Sequence, residues 1–183
     1  MLGMLGLSFD DLVEYTEWQR GKWRAWFATK PEALVLSTGD YGDGRFTTVG
    51  EVIKHIFGAE LRYVQRLEGE PLSDLAEVPT DKVDELFGKG EETRQRLKQL
   101  LATMPGAQWE IPREFIILKY QVTATPKKII AHTLMHEIRH WAQLATVCRM
   151  SGHATDAQDL LASPLWGGTF VAHPVGREQS PFT

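Results

Sequence analysis

Apolar positions recur every three to four residues along four long stretches of the chain, the period of helices with one buried face. The first stretch opens at Ser8, with Asp11 three positions on as a capping pair, and carries Phe9, Leu12, Val13, Thr16, Trp23, Trp26 and Phe27 up to Lys30-Pro31. The second opens on a capping box, Thr48-x-x-Glu51, and stops at Gly69 and Pro71; Val52, Ile53, Ile56, Phe57, Leu61, Val64 and Leu67 form its apolar face. The third is predicted from about Thr80 to Met104, ended by Pro105-Gly106. Its "GKGEETRQRLKQLL" section is charged on most faces, which predicts the most exposed of the four helices. The fourth has Thr125 as its cap and Pro126 in its first turn, and runs to Ser151-Gly152.

Between the third and fourth stretches, "EFIILKYQVT" is rich in β-branched and aromatic residues and predicts one or two short strands. From residue 153 the chain turns to glycine, proline and small residues, with one helix-compatible piece, "ATDAQDLLAS", and a loose tail expected after Pro174. The predicted fold is all-α: a four-helix bundle over residues 1–152 with a long third connection, and a C-terminal arm over 153–183 packed on the bundle or trailing from it.

Composition narrows the classes. The 183 residues are 43% apolar and 24% charged, enough to bury one core without disulfides or a structural metal. A net charge of −4 with no basic stripe argues against a nucleic-acid partner. Cys148 is the single cysteine, which excludes an internal disulfide and fits a reducing compartment. The opening "MLGMLGLSFDDL" has no basic n-region, and no window approaches bilayer length. The expectation is a cytoplasmic protein with no membrane partner.

The chemistry lies in the histidines. His132, His136 and His140 stand at i, i+4 and i+8 on the fourth helix. Two imidazoles one turn apart can share an ion, whereas all three span about 12 Å of one straight helix. His132 is therefore expected to stand outside the ligand set. A metal in a bundle core draws its remaining ligands from a facing helix, and His55 lies in the apolar stripe of the second. His153 and His173 fall in the C-terminal region and are expected to be solvent-exposed.

"HEIRH" at 136–140 also fits the H-E-x-x-H pattern of zinc proteases. The longer form with a downstream glycine and histidine is absent, and Glu178 is the only glutamate after Glu137, so the protease reading is weak. Glu137 is left with three readings: a solvent-facing residue, a partner of Arg139, or an acid or base at the site.

"TTVGEVIKHIFGAELRYVQRLEGEP", followed by "IIAHTLMHEIRHWAQLATVCRMSG", resembles the DinB/YfiT-like superfamily in both motif helices and their order. The resemblance implies that His55, His136 and His140 ligate a divalent transition metal, zinc or nickel foremost and iron third, with Gln143 at the family's glutamine position. One departure is visible: Trp141-Ala142 follows the final histidine where many members carry arginine-glycine, placing bulk near the metal-bearing turn. The resemblance implies no DNA contact. Relatives use such a site to activate low-molecular-weight thiols, which implies thiol transfer to an electrophile or thiol-dependent isomerisation, with a small-molecule thiol and electrophile as partners. It also implies a homodimer, for which the apolar faces of the first and fourth helices are candidates. Arg62, Tyr63 and Arg139 are candidates for orienting a substrate, Glu137 for moving a proton, and Cys148 is expected to be a buried apolar residue. A metal-dependent hydrolase of a small amide or ester and a non-catalytic, metal-stabilised bundle remain open.

Overall fold

The computed structural model describes residues 6–42 and 44–171. Its four long helices are α1 (Phe9–Thr29), α2 (Val49–Glu68), α3 (Val83–Thr103) and α4 (Pro126–Met150). The strands β1 (Arg113–Ile117) and β2 (Tyr120–Ala124) pair as an antiparallel hairpin between α3 and α4. This is an all-α bundle carrying one small hairpin.

The helix starts are where the capping pairs put them. Ser8 accepts from the Asp11 amide while Asp11 accepts from Ser8; Thr48 and Glu51 do the same for α2, and Thr125 caps α4. Each capped start satisfies amides that have no partner within the helix. Gly69 ends α2 at φ +75°, a left-handed cap that favours glycine.

The apolar stripes meet in two clusters. One gathers Trp23, Phe27, Ile53, Phe57, Phe87 and Trp141; the other gathers Val13, Val64, Leu97, Ile130 and Leu134 nearer the opposite end. Between them, by position on every helix, lie four buried ionisable residues: Arg20 of α1, Glu60 of α2, Arg94 of α3 and Glu137 of α4. As expected, α3 is the most exposed of the four helices, yet its Arg94 is 2% exposed and anchors it to the other three. Gly90 lets α3 approach α2: a Cβ there would come within 2.7 Å of the Phe57 ring. The apolar faces of α1 and α4 that offered a homodimer surface are buried within this core, through Trp23, Phe27, Trp141 and Leu144.

The described part of the C-terminal arm lies along α1 and α4. Trp26 Nε1 donates to the Ala154 carbonyl at 3.0 Å, and Tyr15 donates to that of Gln158 at 3.0 Å. With those carbonyls turned toward α1, the helix-compatible "ATDAQDLLAS" forms only one short 3-10 turn, Leu160–Ala162. The tail after Pro174, and His173 with it, lie outside the described residues.

Candidate metal centre

His55 sits in the second turn of α2 and meets α4, which runs antiparallel to it: His55 faces His136 and His140, and eight residues on, Tyr63 faces His132. The Nε2 atoms of His55 and His136 are 3.1 Å apart, and those of His136 and His140 are 3.0 Å apart. One ring nitrogen from each of the three lies within 4.8 Å of the others. A tetrahedral ion bonded to imidazoles at about 2.0–2.1 Å holds its donors about 3.3 Å apart, so the cluster is close to the size such an ion demands.

Electrostatics prepare the nitrogens as ligands. Burial, then the neighbouring His140 and His55 and the charge of Arg139, push His136 from 6.5 down to about 2, so its ring is neutral at physiological pH. A neutral imidazole is the form that binds a metal. His140 is 4% exposed, and its Nδ1 lies 2.7 Å from Gln143 Oε1. Gln143 donates its own amide NH2 to the Tyr41 carbonyl, so its oxygen faces the ring and accepts from Nδ1–H. That fixes the tautomer and leaves the Nε2 lone pair directed at the cluster. Phe46 closes the other side, its ring 4.5 Å from that of His55.

The three expected ligands are therefore brought together, and the donor set fits a divalent transition ion. His132 stands outside the set: its ring is 5.6 Å from His136 and 5.5 Å from Tyr63, centroid to centroid. His153 is half-buried rather than exposed and packs edge-on against Trp26.

Glu137 is corrected. It neither faces solvent nor pairs with Arg139; it is 1% exposed and takes Arg20 Nε at 2.6 Å, Arg20 Nη2 at 2.8 Å, Arg94 Nη2 at 2.7 Å and Trp141 Nε1 at 3.0 Å. Burial would raise its pKa, but Arg20 and Arg94 outweigh burial and hold the carboxyl below its ordinary value. With both oxygens committed to cations, it lacks the acceptor capacity of a general base. Trp141 is corrected with it: its bulk turns into the core, stacked on Trp23 at 5.5 Å, and does not crowd the metal-bearing turn. Sequence reasoning missed Phe46 and Tyr41, which lie in the connection before α2 and carry no periodic signal.

A histidine from one helix set against an i, i+4 pair on the last helix defines the class: a four-helix bundle whose histidine cluster fits a divalent metal ion. The chain belongs to the DinB superfamily, whose family model matches residues 15–144, from Tyr15 in α1 to Leu144 in α4. No curated protein matches the chain.

Proposed function

We propose that the chain is a metal-dependent enzyme that activates a low-molecular-weight thiol, for transfer to an electrophile or for thiol-dependent isomerisation. The observation that carries this reading is a cluster of three imidazole nitrogens, His140 buried and His55 and His136 half-buried, that among the described residues includes neither a carboxylate nor a protein sulfur. Nitrogen ligation suits zinc or nickel, with iron as the third candidate. When bound, the ion would supply Lewis acidity that lowers the pKa of a coordinated thiol.

The chain's own residues define the rest. His55, His136 and His140 offer the donors, and Gln143 holds His140 in its ligating tautomer. Cys148 cannot be the nucleophile: it is fully buried among apolar side chains, and burial pushes its thiol up to about 11. The reacting sulfur must come from outside. A hydrolase would need a base beside a coordinated water, and the nearest carboxylate in sequence, Glu137, is taken up by Arg20 and Arg94. A thiol whose pKa the ion would lower could release its proton to solvent water and would need no such base.

Metal analysis of the purified chain beside His55→Ala and His136→Ala tests the centre. Stoichiometric metal in the native chain and its loss in both variants is the expected result; equal metal in all three removes the centre. The loaded protein is then assayed with a chromogenic electrophile and a panel of thiols. Turnover only with added thiol is expected, turnover without one assigns a hydrolase, and bound metal with no turnover at all assigns a metal-stabilised bundle.

A further inference from the structure

On α2, His55, Ala59, Arg62 and Arg66 stand at i, i+4, i+7 and i+11, one stripe that leads away from the metal centre. His55 and Arg62 also line a single surface cleft of about 450 Å³, walled by Phe46, Leu75 and Thr80. Seven residues of helix separate their Cα atoms by about 10 Å, and the Arg62 guanidinium folds back toward His55, beside Gly58.

Arg62 is half-buried, and no carboxylate lies within ion-pairing distance of it or of Arg66 among the described residues, although the equally half-buried Arg24 and Arg96 each hold two. The acidic groups of the cleft are already engaged by the backbone. Asp74 accepts from the Ala76 amide at 3.1 Å, and Glu51 from the Thr47 and Thr48 amides at 2.6 and 3.3 Å. Lys54, the other cation of the cleft, donates to the Val78 carbonyl at 3.0 Å. Arg66 lies over the rings of Tyr63 and Phe115, 5.6 and 5.2 Å from their centroids, with its Nη1 on the Arg62 carbonyl. Burial, then the charge of Arg66, lowers the pKa of Arg62 in spite of the opposing charge of Asp74 across the cleft, so the folded chain holds two neighbouring, partly desolvated guanidinium groups with no carboxylate in direct ion-pairing contact among the described residues.

We propose that Arg62, assisted by Arg66, anchors an oxyanionic tail of the carboxylate kind on the small molecule whose other end reaches His55, His136 and His140. The inference rests on the metal–thiol reading above and names its substrate class: a thiol carrying an anionic group far enough from its sulfur to reach the Arg62 guanidinium, which lies beside Gly58. A guanidinium presents a planar fork to two carboxylate oxygens, and such charge-assisted pairs are the strong ones where water is partly excluded.

The test uses the full chain loaded with cobalt(II), whose visible absorption reports sulfur ligation. It is titrated with ω-mercaptocarboxylates of increasing chain length and with ω-mercaptoalcohols of the same lengths. The expected result is an advantage of about tenfold in Kd for the carboxylate once the chain spans the cleft, and none for the shortest pair. Arg62→Gln removes the advantage without changing the affinity for the alcohols, and Arg62→Lys keeps part of it; helical content by circular dichroism confirms that both are folded. Equal binding of the two series by the native chain overturns the anchor and leaves the metal–thiol reading standing. Bound cobalt that no thiol perturbs overturns the thiol reading and the anchor with it. Failure to bind cobalt overturns the centre itself.

Discussion

Replacing Glu137 with glutamine keeps the side chain's shape and removes one charge from a layer of two arginines and two glutamates. In the native chain this carboxylate accepts three bonds from guanidinium groups, at 2.6, 2.8 and 2.7 Å, and one from Trp141 at 3.0 Å. A glutamine can keep part of that acceptance on its oxygen, but its NH2 then points at Arg20 or Arg94, donor against donor. Glu60 is left as the only anion for both arginines, which it reaches at 3.0 and 2.9 Å. Removing one member of a buried ion pair costs about 3–5 kcal/mol, a large share of the roughly 5–15 kcal/mol that holds a domain folded. Urea denaturation of the metal-free forms at pH 7 measures this without the stabilisation that a bound ion adds to the native state. The expected result is a loss of about 3–5 kcal/mol, with metal content and thiol-dependent turnover of the remaining folded protein within a few-fold of native. A variant that loses under about 1 kcal/mol of stability yet drops turnover by roughly 10²–10⁴-fold would refute the structural assignment and restore Glu137 as an acid or base.

Three further outcomes follow from single contacts. Gly90→Ala sets a Cβ 2.7 Å from the Phe57 ring and should cost about 1–3 kcal/mol, read as a lower Tm, because ring and helix must move apart. Gln143→Leu removes the partner of His140 Nδ1–H and should weaken metal binding about 10–100-fold in competition with a chelator, while helical content stays unchanged. Glu51, bonded to the Thr47 and Thr48 amides and hydroxyl, has its pKa lowered from an ordinary 4.5, so the stability it contributes is complete above 4.5 and is lost as the pH falls through the lower folded value. Glu51→Ala should therefore be less stable than native by about 1 kcal/mol at neutral pH, and the two urea midpoints should converge on acidification below 4.5.

The helices were legible because their signals are local. Capping pairs, proline at a first turn and a stripe every three to four residues act within one element, and α1, α2 and α4 start where those signals stand. His136 and His140 were legible as a pair for the same reason, one turn apart on one helix. The ion layer was visible only in part. Glu60 lies four residues after Ile56 and four before Val64, Arg94 three before Leu97, and Arg20 three before Trp23, each in step with apolar positions that turn inward. A charge in an apolar stripe announces burial. It does not announce its partner, because Arg20 and Glu137 are brought together by topology across 117 positions of chain. The partner of Glu137 was out of view for that reason: the neighbouring Arg139 stood beside it in the sequence and Arg20 did not.

The metal centre and the ion layer are two uses of one helix. Each residue of α4 turns about 100° from the last, so His136 and His140 share one face while Glu137 and Trp141, one step on from each, share another. The first face meets His55 of α2, and the second meets Arg20 of α1 and Arg94 of α3, with Trp141 stacked on Trp23. Sliding or rotating α4 to relax the crowded imidazoles would strip Glu137 of its cations inside the core, where an unpaired charge is among the costliest defects a fold can carry. Three rings with their nitrogens 3.0–3.1 Å apart along two edges lose solvation and gain little from one another without an ion. The layer between the two apolar clusters supplies the restraint that keeps them there, and it does so with no net charge of its own to disturb a cation at the site. The H-E-x-x-H spacing that suggests a protease thus serves packing at its glutamate and brings its histidines together in a cluster that fits a divalent ion.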